Sequence, residues 1–396
     1  MITHSGRNET GRSSEFLWSL FILFLVEFVR GAFLISYLPS YAIDRLHISI
    51  SIVGLAVSVH YLADSFVKCF VGYLLDRVSP KIIVNCGLFL SLSAICLMVN
   101  AHTQWLLITA AALLGIGGSP IWLICLSHVQ EEKRASQMGV LYVFWMSGLG
   151  LGPVIINFFM DIGYTAAFSV MIVLFAIGWL FAARMRLERQ AAVFTLTIKE
   201  QGRAVLSRLS SMGFLLPGMI LQTTAGGILV PLLSPFATQH IGLSHSELSI
   251  ALVTGGLCAV LLLIPMGRLT DSLGGKWFLV SGFGVFALAI YRLTFAKTFA
   301  ETETLSVILG LSYAMLLPAW NSLIAQYVPK ESVGTGWGMI STIEGSGVII
   351  GPMLGGWLAE RLQPSFPFWV CAAIFAVISG FYLFSPGTRF QTNTPC

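Results

Sequence analysis

Gly72-Tyr-Leu-Leu-Asp76-Arg-Val-Ser-Pro-Lys81 returns 195 residues later as Gly267-Arg-Leu-Thr-Asp271-Ser-Leu-Gly-Gly-Lys276. Two further pairs repeat at nearly the same offset. Ser119-Pro120-Ile-Trp122 matches Leu317-Pro318-Ala-Trp320, and Gly152-Pro153 matches Gly351-Pro352. Three matches in one order and at almost one offset point to a chain built from two related halves.

The surroundings of these repeats are apolar. Of 396 residues, 56% are hydrophobic and 10% charged, against about a quarter charged in ordinary soluble domains. A mean hydropathy of +0.84 means that apolar surface must face lipid as well as a core. A membrane helix needs about 20 mainly apolar residues, and twelve such segments are expected. In the first half they lie near 16–39, 48–75, 82–100, 104–127, 136–160 and 164–185. In the second they lie near 212–236, 246–268, 276–296, 303–327, 334–359 and 366–386. The chain thus reads as an N-terminal six-helix bundle (1–185), a polar cytoplasmic linker (186–211) and a C-terminal six-helix bundle (212–396). Such duplication is typical of rocking transporters with a midplane site between the halves.

Lys and Arg set the orientation. With the N-terminus in the cytoplasm, sixteen of the 22 fall on the cytoplasmic side. Four lie outside (Arg45, Arg292, Lys297, Arg361), and Arg30 and Lys68 lie within spans. An even number of spans returns the C-terminus to the cytoplasm. The first apolar run keeps Glu27 and Arg30 and lacks a small-residue cleavage site, so it is expected to remain as the first span. A net charge of +4 does not call for nucleic acid. The seven cysteines are scattered, with no Cys-x-x-Cys pair and no Cys/His spacing suited to a metal; neither a disulfide framework nor a metal site is expected.

The loop Gly72, Asp76, Arg77, Lys81 resembles the cytoplasmic gate motif of the major facilitator superfamily, and Gly267 and Asp271 belong to its second copy. Gly152-Pro153 and the fuller Gly351-Pro352-Met-Leu-Gly355-Gly356 resemble that superfamily's antiporter motif. The resemblance implies the superfamily fold: twelve transmembrane helices in two pseudo-symmetric bundles.

Ionisable residues at membrane depth are costly and point to function. Five stand out: Glu27, Arg30, Asp64, Lys68 and Glu344. Glu27 and Arg30 share a helix face at i, i+3, as do His60, Asp64 and Lys68 at i, i+4, i+8. Glu27 and Asp64 each lie eleven residues from the cytoplasmic end of their span, about 16 Å at 1.5 Å per residue, so both sit near the midplane. Movement of Arg30 relative to these acids would change their proton affinity, which makes the group a candidate proton-coupling device. A static ion network that only fixes helix packing is the alternative. Lys68 either snorkels toward the cytoplasm or joins the cluster. Glu344 is either a second proton site or a cap for the glycine-rich stretch Glu344-Gly-Ser-Gly347.

Trp122 and Trp145 fall within the fourth and fifth spans, with Trp320 as the counterpart of Trp122. Their rings offer an apolar face and one N–H donor, suited to a sugar or a drug ring. Nearly all intramembrane charge lies in the first half, while the seventh, eighth and tenth spans are mostly aliphatic or small. A cavity between such halves would be amphiphilic.

A closer resemblance runs over most of the chain. Its segments are Phe24-Leu-Val-Glu27-Phe-Val-Arg30-Gly31, His60-Tyr-Leu-Ala-Asp64, Ser119-Pro-Ile-Trp122, Lys133-Arg134 with Gln137-Met138-Gly139, Trp145, and Leu317-Pro-Ala-Trp320-Asn321. Together they are similar to the LtaA-type glycolipid flippases of Gram-positive bacteria. The resemblance implies proton antiport and movement of a diglucosyl-diacylglycerol, the lipoteichoic acid anchor, from inner to outer leaflet of the bacterial cell membrane. It assigns Glu27, Arg30 and Asp64 to proton coupling and headgroup binding, and Trp122 and Trp145 to the sugar-facing wall; Trp320 and Asn321 are also expected to contact the substrate. Lys68 falls outside the pattern. The expected partners are protons, membrane lipids and an amphiphilic substrate, with no cofactor beyond the proton gradient and a monomeric state. A proton-coupled multidrug exporter fits the same features. A membrane enzyme or sensor fits poorly: the sequence offers no Ser/His/Asp constellation, nucleotide loop or extramembrane insertion.

Overall fold

The structure is a computed structural model. It describes residues 5–75, 78–100, 103–127, 134–185, 213–325 and 333–386. The described residues form two compact units, one within Met1–Gln201 and one within Gly202–Cys396; the expected linker 186–211 lies outside them. The first unit comprises α1 (Ser5–Gly31), which continues through a π-helical turn Ala32–Tyr37 into α2 (Leu38–Asp44), then α3 (Ile50–Leu75), α4 (Pro80–Val99), α5 (Gln104–Ser127), α6 (Arg134–Ile162) and α7 (Tyr164–Arg184). The second comprises α8 (Leu216–Leu229), α9 (Leu233–Pro235) with a π-helical turn Phe236–Ile241, α10 (His245–Leu273), α11 (Gly275–Leu293), α12 (Phe299–Ala325), α13 (Val333–Arg361) and α14 (Phe366–Phe384). The order repeats, α1 to α7 corresponding to α8 to α14.

Lipid offers no partner for backbone N–H and C=O groups, so a spanning segment must satisfy them within its own helix. Among the described residues, ten helices are long and apolar enough to cross a membrane, or eleven when the pair Leu216–Leu229 and Leu233–Ile241, bent by 53°, counts as one span. With α13, a helix stands at each of the twelve expected positions. Leu261 and Ile264 on α10 are exposed, as suits side chains directed at acyl tails.

Small residues bring the helices together. A side chain on Gly148 or Gly152 of α6 would run into the carbonyls of Phe24 and Phe28 on α1. In the second unit, Gly347 and Gly351 of α13 stand against the carbonyls of Ile220 and Thr224 on α8 in the same way. Without an aqueous hydrophobic drive between helices, such close backbone contact is what lipid-embedded association uses. The glycine-proline segments of α6 and α13 are therefore packing seams.

Asp76 and Arg77 of the first gate copy lie outside the described residues. Gly72 stands in the last turn of α3, and Lys81 is exposed in the first turn of α4. In the second copy, Gly267 lies beside Pro318 and Asp271 is exposed near the end of α10. Lys276 donates to the carbonyl of Ser385 at 2.7 Å, a cation satisfying an orphan acceptor at the C-terminal end of α14.

Candidate functional site

Glu27 on α1 and Asp64 on α3 share one cation, Arg30. Glu27 and Arg30 are one turn apart on α1, and their side chains pair at 2.5 Å. On α3, Lys68 Nζ donates to Asp64 Oδ2 at 2.6 Å across an i, i+4 step. Arg30 Nη1 reaches the same Asp64 oxygen at 3.9 Å and links the two helices. From α5, the Ser119 hydroxyl lies 2.8 Å from Asp64 Oδ1. It also lies 2.8 Å from the Gly115 carbonyl of its own helix, so it is locked to α5 while touching the acid.

Burial makes the group consequential. Glu27 is 3% exposed and Asp64 5%, whereas the Lys68 side chain is 35% exposed. Two acids and two cations balance in a site where an unpaired charge is expensive. The network is graded in depth, with the Glu27–Arg30 pair enclosed and Lys68 forming its open side. His60, one turn from Asp64 on the same face, is fully buried. Lys68 thus joins the cluster instead of snorkelling away from it.

An aromatic group stands in the same unit. Trp122 on α5 packs against Ile83 of α4 and faces Trp145 on α6 at 6.0 Å between ring centres. Tyr142, one turn before Trp145, contacts both rings at 5.5 and 6.3 Å. Trp320 is placed differently. It is 5% exposed, packed among Phe283 and Tyr382, with its indole Nε1 3.4 Å from Glu344 Oε1. Asn321, the next residue, is exposed.

The structure brings Glu27, Arg30 and Asp64 together, and Trp122 with Trp145. Trp320 and Asn321 belong to the other unit. Sequence reasoning missed Ser119 as a partner of Asp64 and Tyr142 as the third aromatic ring. The i+4 spacing was available as a signal for Lys68. A lone serine before a proline gives no comparable signal. Glu344 corrects one expectation: α13 is helical from Val333 to Arg361, so no helix break exists at Gly345–Gly347 for it to cap. Among the described residues, no cluster of three or more His, Cys, Asp or Glu could hold a metal ion.

The model of the Major Facilitator Superfamily matches residues 19–214 and again 215–395. The chain belongs to this superfamily. It is 31% identical over 385 residues to the "Proton-coupled antiporter flippase LtaA" of Staphylococcus saprophyticus, covering 96% of each chain. It is 31% identical over 397 residues to the protein of the same description from Staphylococcus aureus (strain N315), covering 98% of each. Among solved structures, the nucleoside transporter NupG aligns with a TM-score of 0.75 at 16% identity, over 95% of this chain and 99% of that one. A D-xylose-proton symporter aligns at 0.67 and 13% identity, over 95% and 99%. These structural likenesses carry the fold alone. The chain is a multi-pass membrane transporter, not an enzyme.

Proposed function

We propose that this transporter is a proton-coupled antiporter that flips a glycolipid of the diglucosyl-diacylglycerol type, a lipoteichoic acid anchor, from the inner to the outer leaflet by alternating access. The carrying observation is the Glu27–Arg30–Asp64–Lys68 network in the same unit as the Trp122–Tyr142–Trp145 rings. Relatives named as proton-coupled antiporter flippases support the reading. A charged acceptor forms stronger hydrogen bonds than a neutral one, so ionised Asp64 is the better acceptor for sugar hydroxyls. A proton on Asp64 removes the charge that Lys68, Arg30 and a headgroup hydroxyl all address. Proton and headgroup are therefore alternatives at one carboxylate, the relation antiport requires. The indole faces of Trp122 and Trp145 suit stacking of a sugar ring, and the aliphatic spans suit acyl tails.

In this reading the protein works as a monomer in the bacterial cell membrane, with both termini in the cytoplasm. It needs no cofactor beyond the proton gradient. Reconstitution into liposomes with a fluorescent diglucosyl lipid tests it. The reading expects an imposed proton gradient to deplete the lipid from one leaflet. No depletion, together with gradient-driven efflux of lipophilic cations, would assign the chain to multidrug export instead.

A further inference from the structure

Glu344 stands eleven residues into α13, about 17 Å along the helix, in a unit whose seams are otherwise built from small and apolar groups. The carboxyls of Glu27 and Asp64 both have a cation within 4 Å. Among the described residues Glu344 has none, and its recorded side-chain partner is the indole N–H of Trp320. Among the described residues, the neighbouring helices of this unit supply no counter-charge. Along Leu216–Leu229, α8 carries no ionisable side chain. Tyr382 and Cys371 are the ionisable groups of α14; Tyr382 packs on Trp320, and Cys371 points at the Ala225 carbonyl. The acids of α12, Glu301 and Glu303, stand some 17 residues before Trp320, about 26 Å away along the helix. On α11, Lys276 is committed to Ser385 and Arg292 lies at the opposite end.

Position reinforces this isolation. Gly148 meets α1 beside Glu27, and Gly347 meets α8 beside Thr223. Trp145 and Glu344 each lie three residues before these seam glycines. Glu344 with Trp320 therefore occupies the place that Trp145 with Trp122 holds in the first unit. One indole has been replaced by a carboxyl.

We propose that Glu344 is a second proton-binding carboxyl, separate from the first-unit network and held by the Trp320 N–H. A half-buried carboxyl at membrane depth without a cation gains most by taking a proton. The carboxylate oxygen accepts the proton, while the indole hydrogen stays on its nitrogen. Trp320 fixes the oxygen that receives its hydrogen bond and leaves the other free. The proposal takes the proton-coupled reading as its frame, but its test needs no substrate, so the two stand or fall separately.

The test is infrared difference spectroscopy on the full chain in liposomes as pH is stepped, with protons as the sole ligand. Glu344→Gln is expected to remove one protonated-carboxyl band that persists in Asp64→Asn. Glu344→Asp is expected to retain the band at a shifted frequency, and Trp320→Phe to move it without abolishing it. If Glu344→Gln yields too little folded protein, the Glu344→Asp shift carries the decision. A Glu344→Gln spectrum identical to that of the unmodified protein would overturn the proposal, as would a Glu344→Asp spectrum without a shift. A carboxylate that remains ionised throughout and binds a lipophilic cation would also overturn it.

Discussion

The two units share a packing scheme and differ in what it carries. Gly148 and Gly152 press α6 onto α1 at Glu27 and Phe28; Gly347 and Gly351 press α13 onto α8 at Thr223 and Thr224. At the place of Glu27, whose carboxylate pairs with Arg30, the second unit has Thr223, whose hydroxyl donates to the Met219 carbonyl of its own helix. Gly115 meets the His60 carbonyl on α3, and Gly310 meets the Gly255 carbonyl on α10. One turn further, the first unit has Asp64 and the second has Ala259. Backbone contact was duplicated while charge was not. Close packing demands small residues at fixed positions in both units, whereas ion pairs need only exist where protons and polar groups are handled.

The largest expected effect breaks this asymmetry at its centre. Asp64→Asn leaves Lys68 and Arg30 without their shared anion, a loss that costs up to about 3–5 kcal/mol where the pair is fully buried. Transport by the variant is expected to fall to background in the liposome assay. The reciprocal change, Ala259→Asp, places an unpaired acid at a buried position. It is expected to lower thermal stability in detergent without adding proton flux.

The shared half of the comparison has its own test. Gly152→Val and Gly351→Val each force a side chain into a facing backbone, and overpacking of this kind costs about 1–3 kcal/mol. Both are expected to depress thermal stability by similar amounts, read from melting in detergent. Unequal losses would show that the seams are not equivalent.

Much of the fold was legible because lipid imposes long apolar runs, and the repeat at Gly72 and Gly267 gave the duplication directly. The membrane acids were legible for the same reason: Glu27 and Asp64 are conspicuous in apolar surroundings, and helical spacing placed them at one depth. Pairing was less so. Lys68 has a stem long enough either to reach Asp64 or to snorkel, and only the structure shows it bonded to Asp64 within α3. The roles of Trp122 and Trp320 diverged because a shared motif fixes a position on a helix while neighbouring rings decide exposure.

Smaller effects sharpen the picture. Lys68→Met removes a half-exposed pair and is expected to reduce transport several-fold, with Lys68→Arg restoring most of it; rates across a pH series would show both. Trp145→Ala removes an aromatic contact worth roughly 0.5–1.5 kcal/mol, and is expected to weaken lipid binding up to about tenfold in a titration with the fluorescent glycolipid.

The central claim is that proton coupling resides in the Glu27–Asp64 network and not at the equivalent positions of the second unit, Thr223 and Ala259. Substrate-driven proton flux in liposomes, followed with an internal pH dye, tests it most directly when Asp64→Asn and Thr223→Ala are compared. The account predicts no flux above background for Asp64→Asn and flux within about twofold of the unmodified protein for Thr223→Ala, whose lost hydroxyl bond is a local one. Full flux through Asp64→Asn would contradict it.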